Sequence, residues 1–534
     1  MMEEKKYRRR DKIWKIIFPH KSHKHKHAHK EDTLKRTTEQ TNKINSLSSY
    51  AQQHFSIQLD SNIFESILES NDWDSKKSLA DLLDYEEASH GILVEPPLPN
   101  TLLLGSENDG GTSCYIDSLL FAMYISNTAF DPLLTYDIPL EEDQDNKIKL
   151  QTLMRLFVNK LRKGHFISAD YVHWFRKILK EAKWNGQDEA GHWTQEDASE
   201  LFLFITETFD LPYLPFQIRL FHGANKDSDD DRVMTDRTLT LSIPETNNSV
   251  KEIKLQDILV DYFYNSIITG VRRQVDSSHS HEEVTENVAA SPTIQSMINN
   301  TDEKPSSKRA LVKKNDGHVA VTAWQVLELL PFYSPTNEQG ISINAQVDAS
   351  FPDTHMILPI VLKRYRYDHS GGSTKNKKRV EIPVTIDFNK FVNQNVDDPL
   401  CPTCGHLVDW TLHFKSAVCH KGDSPFSGHY VSYARVMSAD ESYHWIKLDD
   451  MNQASRVTQM TDDASVHADL AENAYIIFYE LDKTCHHEAS SLSSASEHNV
   501  ELKQESSLST HSTDKKKHHH HHHRHHLKDS CRLM

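Results

Sequence analysis

Between residues 62 and 90 the apolar positions fall into two helical stripes. One is Ile63, Phe64, Ile67 and Leu68, and the other is Leu79, Leu82 and Leu83. Asp74 or Ser75 stands where a cap for the second helix belongs. The run Pro96-Pro97-Leu98-Pro99 then separates this small helical element, residues 61–95, from the longer patterned stretch beyond it. From about residue 100 to 482 helical and strand-like patterns alternate. Leu150, Leu153, Met154, Phe157 and Leu161 keep a helical rhythm, whereas Thr238 to Ile243, Ile357 to Tyr367 and Ala474 to Tyr479 read as strands. The mixture predicts an α+β fold. Residues 275–316 interrupt it with Ser, His, Asn, Glu and Lys and almost no core formers, a flexible insertion. Residues 1–60 and 483–534 lack a core-forming pattern and are expected to be mostly disordered.

Composition narrows the class. Hydrophobic residues make up 37% and charged residues 26%, as in a soluble chain with disordered parts. Six sparse, irregularly spaced cysteines do not make a disulfide framework and point to a reducing compartment. No secretory leader and no bilayer-length apolar run are visible, so a cytoplasmic or nuclear protein is expected. The net charge of −17 argues against nucleic acid as a partner.

Three segments carry chemistry. Gly110-Gly111-Thr112-Ser113-Cys114-Tyr115-Ile116-Asp117-Ser118-Leu119 passes from a glycine turn into an apolar run. That places the Cys114 thiol at a helix start, where the dipole favours thiolate. Further along come Ser427-Gly428-His429-Tyr430 and Trp445-Ile446-Lys447-Leu448-Asp449-Asp450. A thiol nucleophile needs a base, and the base needs a group to orient it; His429 and Asp449 on neighbouring strand ends can supply both.

With their flanks these segments resemble the ubiquitin-specific protease family. The Cys box is Gly111 to Leu120 and the His box is Gly428-His429-Tyr430 with Leu448-Asp449-Asp450. Between them, Gln195-Glu196-Asp197-Ala198-Ser199-Glu200-Leu201 is similar to the family's Gln-Asp-Ala helix, and Leu362-Lys363-Arg364-Tyr365 to its Leu-Lys-Arg-Phe strand. Ala474 to Tyr479 matches the closing strand. The resemblance implies a papain-like core with thumb, palm and fingers over residues 100–482. It also implies a deubiquitinase acting through a thioester, with ubiquitin and ubiquitinated proteins as partners. Cys114, His429 and Asp449 would be catalytic, and Gln195, Asp197, Glu200 and Tyr430 would contact the substrate. The Cys box looks closer to the cylindromatosis-type members than to the main branch, which usually carries Asn at the position of Asp117. Asp109 occupies the position from which many relatives' Asn donates to the oxyanion, and a carboxylate there repels developing charge. Either the backbone N–H of Cys114 and another donor suffice, or Asn108 reaches in, or the chain is a catalytically weak or inactive ubiquitin-binding scaffold.

No cofactor is expected. Relatives hold zinc with two Cys-x-x-Cys pairs, but this chain has only Cys401-Pro402-Thr403-Cys404. His406, His413, Cys419 or His420 are available to complete four ligands, yet the spacing is untidy, and no metal is assigned. The helices from 62 to 90 faintly resemble a ubiquitin-associated domain without its glycine loop. The chain closes on Cys531-Arg532-Leu533-Met534, which fits a prenylation box, with Lys515, Lys516, Lys517, Arg524 and Lys528 upstream. With the basic stretch at residues 1–30, it makes an anionic membrane surface a candidate partner. That basic stretch also fits a nuclear localisation signal.

Overall fold

The computed structural model describes residues 37–140, 143–244, 252–274, 318–352, 355–367, 369, 372–393, 401, 404–406 and 408–485. The insertion 275–316, the basic residues 1–30, the histidine run and the Cys531 box lie outside them. The chain divides into two compact units, Met1–Leu83 and Asp84–Met534.

In the first unit, α1 (Thr38–Phe55) occupies a stretch whose sequence predicts mostly disorder. A capping box explains its start: Thr37 accepts from the Gln40 N–H, and the Gln40 side chain accepts from Thr37 N–H. Its stripe is thin, Ile44, Leu47 and Ala51, which is why periodicity alone understates it. Next come α2 (Ser61–Glu69), which buries Phe64, Ile67 and Leu68, and α3 (Ser75–Ser89). Asp74 accepts from the backbone N–H groups of Lys76 and Lys77 and so starts α3. In the turn before it, Asp72 and Trp73 take positive φ where glycine is commoner.

The second unit opens with helices: α4 (Cys114–Tyr124), α5 (Pro132–Thr135), α6 (Gln144–Arg162), α7 (Ala169–Glu181) and α8 (Ala198–Thr208). All eleven residues of α4 are buried, which fits a helix apolar on every side. Strands β1 (Leu214–Phe221) and β2 (Asp231–Asp236) come next, then β3 (Leu239–Ser242), β4 (Glu252–Lys254), α9 (Leu255–Tyr264), β5 (Ser266–Gln274) and β6 (His318–Leu329). After α10 (Ala345–Ser350) come β7 (Met356–Lys363), β8 (Tyr365–Tyr367), β9 (Ser373–Lys375), β10 (Arg379–Glu381), β11 (Thr385–Asp387) and the long β12 (Asp409–Ser424). The chain continues with β13 (Ser427–Met437), β14 (Tyr443–Leu448), β15 (Val457–Met460), α11 (Asp463–Asn473) and β16 (Ala474–Thr484).

Two sheets organise these elements. One is four-stranded, in the order β2-β1-β6-β5. The other has eight strands, ordered β15-β14-β13-β12-β16-β7-β3 with β11 beside β12. Helix α4 packs on β12 and β13, so the element carrying Cys114 lies directly on the strand that carries His429. The pairing of β13 with β14 sets Ser432 against Leu448, and this brings His429 and Asp449 to the same end of the ladder. Arg364 is fully buried and donates to the carbonyls of Ala474, Ala471 and Lys378, clamping the end of β7 to the start of β16.

Candidate active site

Cys114 is the first residue of α4. Gly110 and Gly111 precede it with φ of 64° and 76°, the left-handed values that the tight entry turn requires. Ser113 braces the turn: its hydroxyl accepts from the Asp109 N–H at 2.8 Å and donates to Asp117 Oδ2 at 2.8 Å. The thiol is 1% exposed. It donates to Gln195 Oε1 at 3.7 Å and accepts from the Tyr430 N–H at 3.5 Å.

The helix start predicts a lowered thiol pKa, and the structure corrects this. Burial, and after it the negative field of Asp450, hold the thiol well above its ordinary value, and the Tyr430 N–H only partly offsets them. Burial thus favours the thiol over the thiolate in this arrangement.

His429 Nε2 donates to Asp449 Oδ1 at 2.9 Å. Burial opposes ionisation of Asp449, but the His429 contact holds its carboxyl below the usual range. The other ring nitrogen, Nδ1, is buried and makes no hydrogen bond among the described residues; Asp450 Oδ1 stands 4.0 Å from it. Cys114 and His429 are thus not hydrogen-bonded to each other in this resting arrangement. Asp450 and Asp117 form a buried acid pair. Burial first, and then mutual repulsion for Asp450, push both carboxyls upward. Sharing a proton also answers for their two orphan oxygens, Asp117 Oδ1 and Asp450 Oδ1.

Asp109 does not face the thiol as a bare charge. Its carboxylate meets Arg176 Nη1 at 3.1 Å and His173 Nδ1 at 3.0 Å. Burial raises its pKa, yet the hydrogen bonds and charges of His173 and Arg176 leave it below the ordinary value. Arg176 is itself 1% exposed and also donates to the carbonyls of Asp109 and Thr194. Asn108 is the amide beside the cysteine turn. It donates to Asp450 Oδ2 at 2.8 Å and accepts from the Ser113 N–H at 3.4 Å.

The four expected substrate contacts are placed differently from one another. Gln195 lies in the site, donating to the Pro425 carbonyl at 3.1 Å in the turn between β12 and β13. Asp197 is buried and fully occupied: it caps α8 through the Ser199 N–H and accepts from the Tyr475 hydroxyl at 2.7 Å. Glu200 is exposed one turn further on. The Tyr430 ring is buried with its hydroxyl donating to the Pro425 carbonyl, so only its backbone N–H serves the thiol. His420, a candidate zinc ligand by sequence, instead lies against the Tyr430 ring, with 4.2 Å between centroids, and bonds Tyr365 Oη. Burial drives its pKa down to about 3. Arg176 carries no local sequence signal, because its partnership with Asp109 spans elements far apart in the chain.

The family model for ubiquitin carboxyl-terminal hydrolase matches residues 104–479. The match spans more than half of the chain, and the chain belongs to the ubiquitin carboxyl-terminal hydrolase family. It is a cysteine-type ubiquitin hydrolase with a papain-like α+β core. No curated protein matches the chain. Among solved structures, the yeast SAGA DUB module carrying an Sgf73 variant is similar at 13% identity, over 73% of this chain and 72% of that one, with a TM-score of 0.43. A SAGA DUB module bound to ubiquitin aldehyde is similar at 15% identity, over 78% and 76%, with a TM-score of 0.43. Another, bound to monoubiquitin, is similar at 15% identity, over 83% and 85%, with a TM-score of 0.40.

Proposed function

We propose that Cys114 attacks the carbonyl carbon of ubiquitin's C-terminal glycine and that His429 Nδ1 takes the thiol proton. The observation that carries this reading is the 2.9 Å contact between His429 Nε2 and Asp449, which leaves Nδ1 as the ring's free base. The imidazolium then protonates the leaving lysine amine and the thioester forms. Water activated by the same base hydrolyses it, which frees ubiquitin and restores the thiol. Asp449 orients the ring and stabilises its charge. Asn108, not Asp109, supplies the side-chain donor for the oxyanion, since its amide has a second hydrogen and Asp109 is engaged by Arg176. Because the thiol is buried and makes no hydrogen bond to His429 at rest, entry of the ubiquitin tail past Gln195 and Pro425 brings Cys114 and His429 into contact. Gln195 and Glu200 flank that path. Hydrolysis of a ubiquitin C-terminal fluorogenic amide tests the assignment: Cys114→Ala and His429→Ala abolish turnover, and sustained turnover in either contradicts it.

A second proposal concerns the ends of the chain. A lipid on Cys531, acting with the basic stretches at 1–30 and 515–528, would hold this enzyme on an anionic cytoplasmic surface, because one prenyl chain alone binds only marginally. Its support is the sequence of the two ends.

A further inference from the structure

Away from the catalytic cleft, three sulfurs converge. The ligand atoms of Cys401, Cys404 and Cys485 all lie within 4.8 Å of one another. No disulfide joins them. The sequence pattern puts Cys485 in a structureless tail, but β16 runs to Thr484 and Cys485 is buried just beyond it. The ladder explains the meeting. In the antiparallel pairing of β12 with β16, Asp409 stands opposite Thr484, so Cys485 continues the ladder toward the turn that precedes β12. That turn is Cys401 to His406. It is closed by the Gly405 N–H donating to the Cys401 carbonyl at 2.8 Å and by the Cys401 N–H donating to the His406 carbonyl at 3.0 Å. Gly405 takes φ of 69°, which lets the chain fold back just after Cys404. Of the other candidate ligands, His406 closes the same turn through its carbonyl but does not join the three-sulfur group, His413 faces Asp482, and Cys419 and His420 sit further along β12 toward the catalytic end.

We infer that Cys401, Cys404 and Cys485 hold a Zn2+ ion that staples the end of β16 to the turn before β12. Zn–S bonds of about 2.3 Å at tetrahedral angles set sulfurs about 3.8 Å apart, so the Cys404 and Cys485 sulfurs, 3.1 Å apart as they stand, would separate to take up the ion. Three converging sulfurs also argue for a metal over a disulfide, which takes only two. Water or an imidazole would supply the fourth ligand. Binding releases the thiol protons, and the ion contributes directly to the stability of this end of the sheet.

The full chain, purified reduced, is loaded with Co2+ as a spectroscopic substitute for Zn2+. The sulfur-to-cobalt charge-transfer band reports thiolate ligation and is silent to the chain's histidine run. One tight Co2+ per chain with that band is expected, displaced by Zn2+, with Tm falling when a chelator removes the metal. Cys404→Ser and Cys485→Ser lose the band, Cys419→Ser keeps it, and Cys485→His retains the ion with a weaker band. The histidine replacement distinguishes a lost ligand from a lost fold. Absence of the band, its persistence in Cys485→Ser, or a Cys404–Cys485 disulfide in the freshly isolated chain would overturn the assignment.

Discussion

His429 Nε2 lies 2.9 Å from Asp449 Oδ1, so the ring is held by one nitrogen and offers the other to the thiol side. Replacing Asp449 with Asn keeps the shape but removes the charge and allows the wrong tautomer. By analogy with other orienting acids, kcat should fall roughly a thousand-fold or more while Tm stays close to that of the unsubstituted chain. A fluorogenic ubiquitin assay with parallel thermal melts checks this. A fall of only a few fold would assign the orienting role elsewhere, with Asp450 the nearest alternative.

Asp109 is the residue whose meaning the structure changes most. On sequence grounds, Asp109→Asn should leave activity unchanged or raise it. In the fold, Asp109 balances the buried Arg176, so the same change leaves the guanidinium without that counter-charge. Asp109→Asn and Arg176→Met each destabilise, by about 3 kcal/mol as an order of magnitude for breaking a buried pair, and the double variant recovers part of the loss. Denaturant titrations of all three measure the coupling. Additive losses would mean that the contact contributes little.

The Asp117–Asp450 pair makes stability depend on pH with a definite sign. Both carboxyls are held above their unfolded values, so their contribution is full below the ordinary carboxylate range and is lost as pH rises through the folded values. Asp117→Asn removes one of the two repelling charges. Its Tm relative to the unsubstituted chain should therefore rise between about pH 5 and about pH 8. A difference that is flat with pH would show that the pair is not strained.

Cys114, His429 and Asp449 stood out through the resemblance of ordered segments along the chain to a known family. The local patterns that hold them, a glycine turn running into an apolar helix and a strand pair bearing His and Asp, are each common and single out no site by themselves. The features that escaped are long-range. Arg176 reaches Asp109 from α7, and Cys485 meets Cys404 only through the register of β12 with β16. The raised thiol pKa escaped for a different reason: the helix start favours thiolate, but complete burial outweighs it. Helix α1 escaped although its cap, Thr37 with Gln40, was present in the sequence, because three small or medium apolar residues make a weak stripe.

On the proposal that Cys531 carries a lipid, Cys531→Ser should move the protein from membrane to soluble fractions, and mutating the basic run at 515–528 should weaken retention in a salt-dependent way. Fractionation of cells expressing each variant checks it. An unchanged distribution in Cys531→Ser would remove the lipid from the explanation.

The most direct test is to incubate the purified chain with ubiquitin bearing a thiol-reactive group at its C-terminus, beside Cys114→Ala. A covalent adduct formed by the unsubstituted chain alone, and mapped to Cys114, is the expected result. An adduct on another cysteine, or none while ubiquitin is still bound noncovalently, would contradict Cys114 as the nucleophile of a working hydrolase.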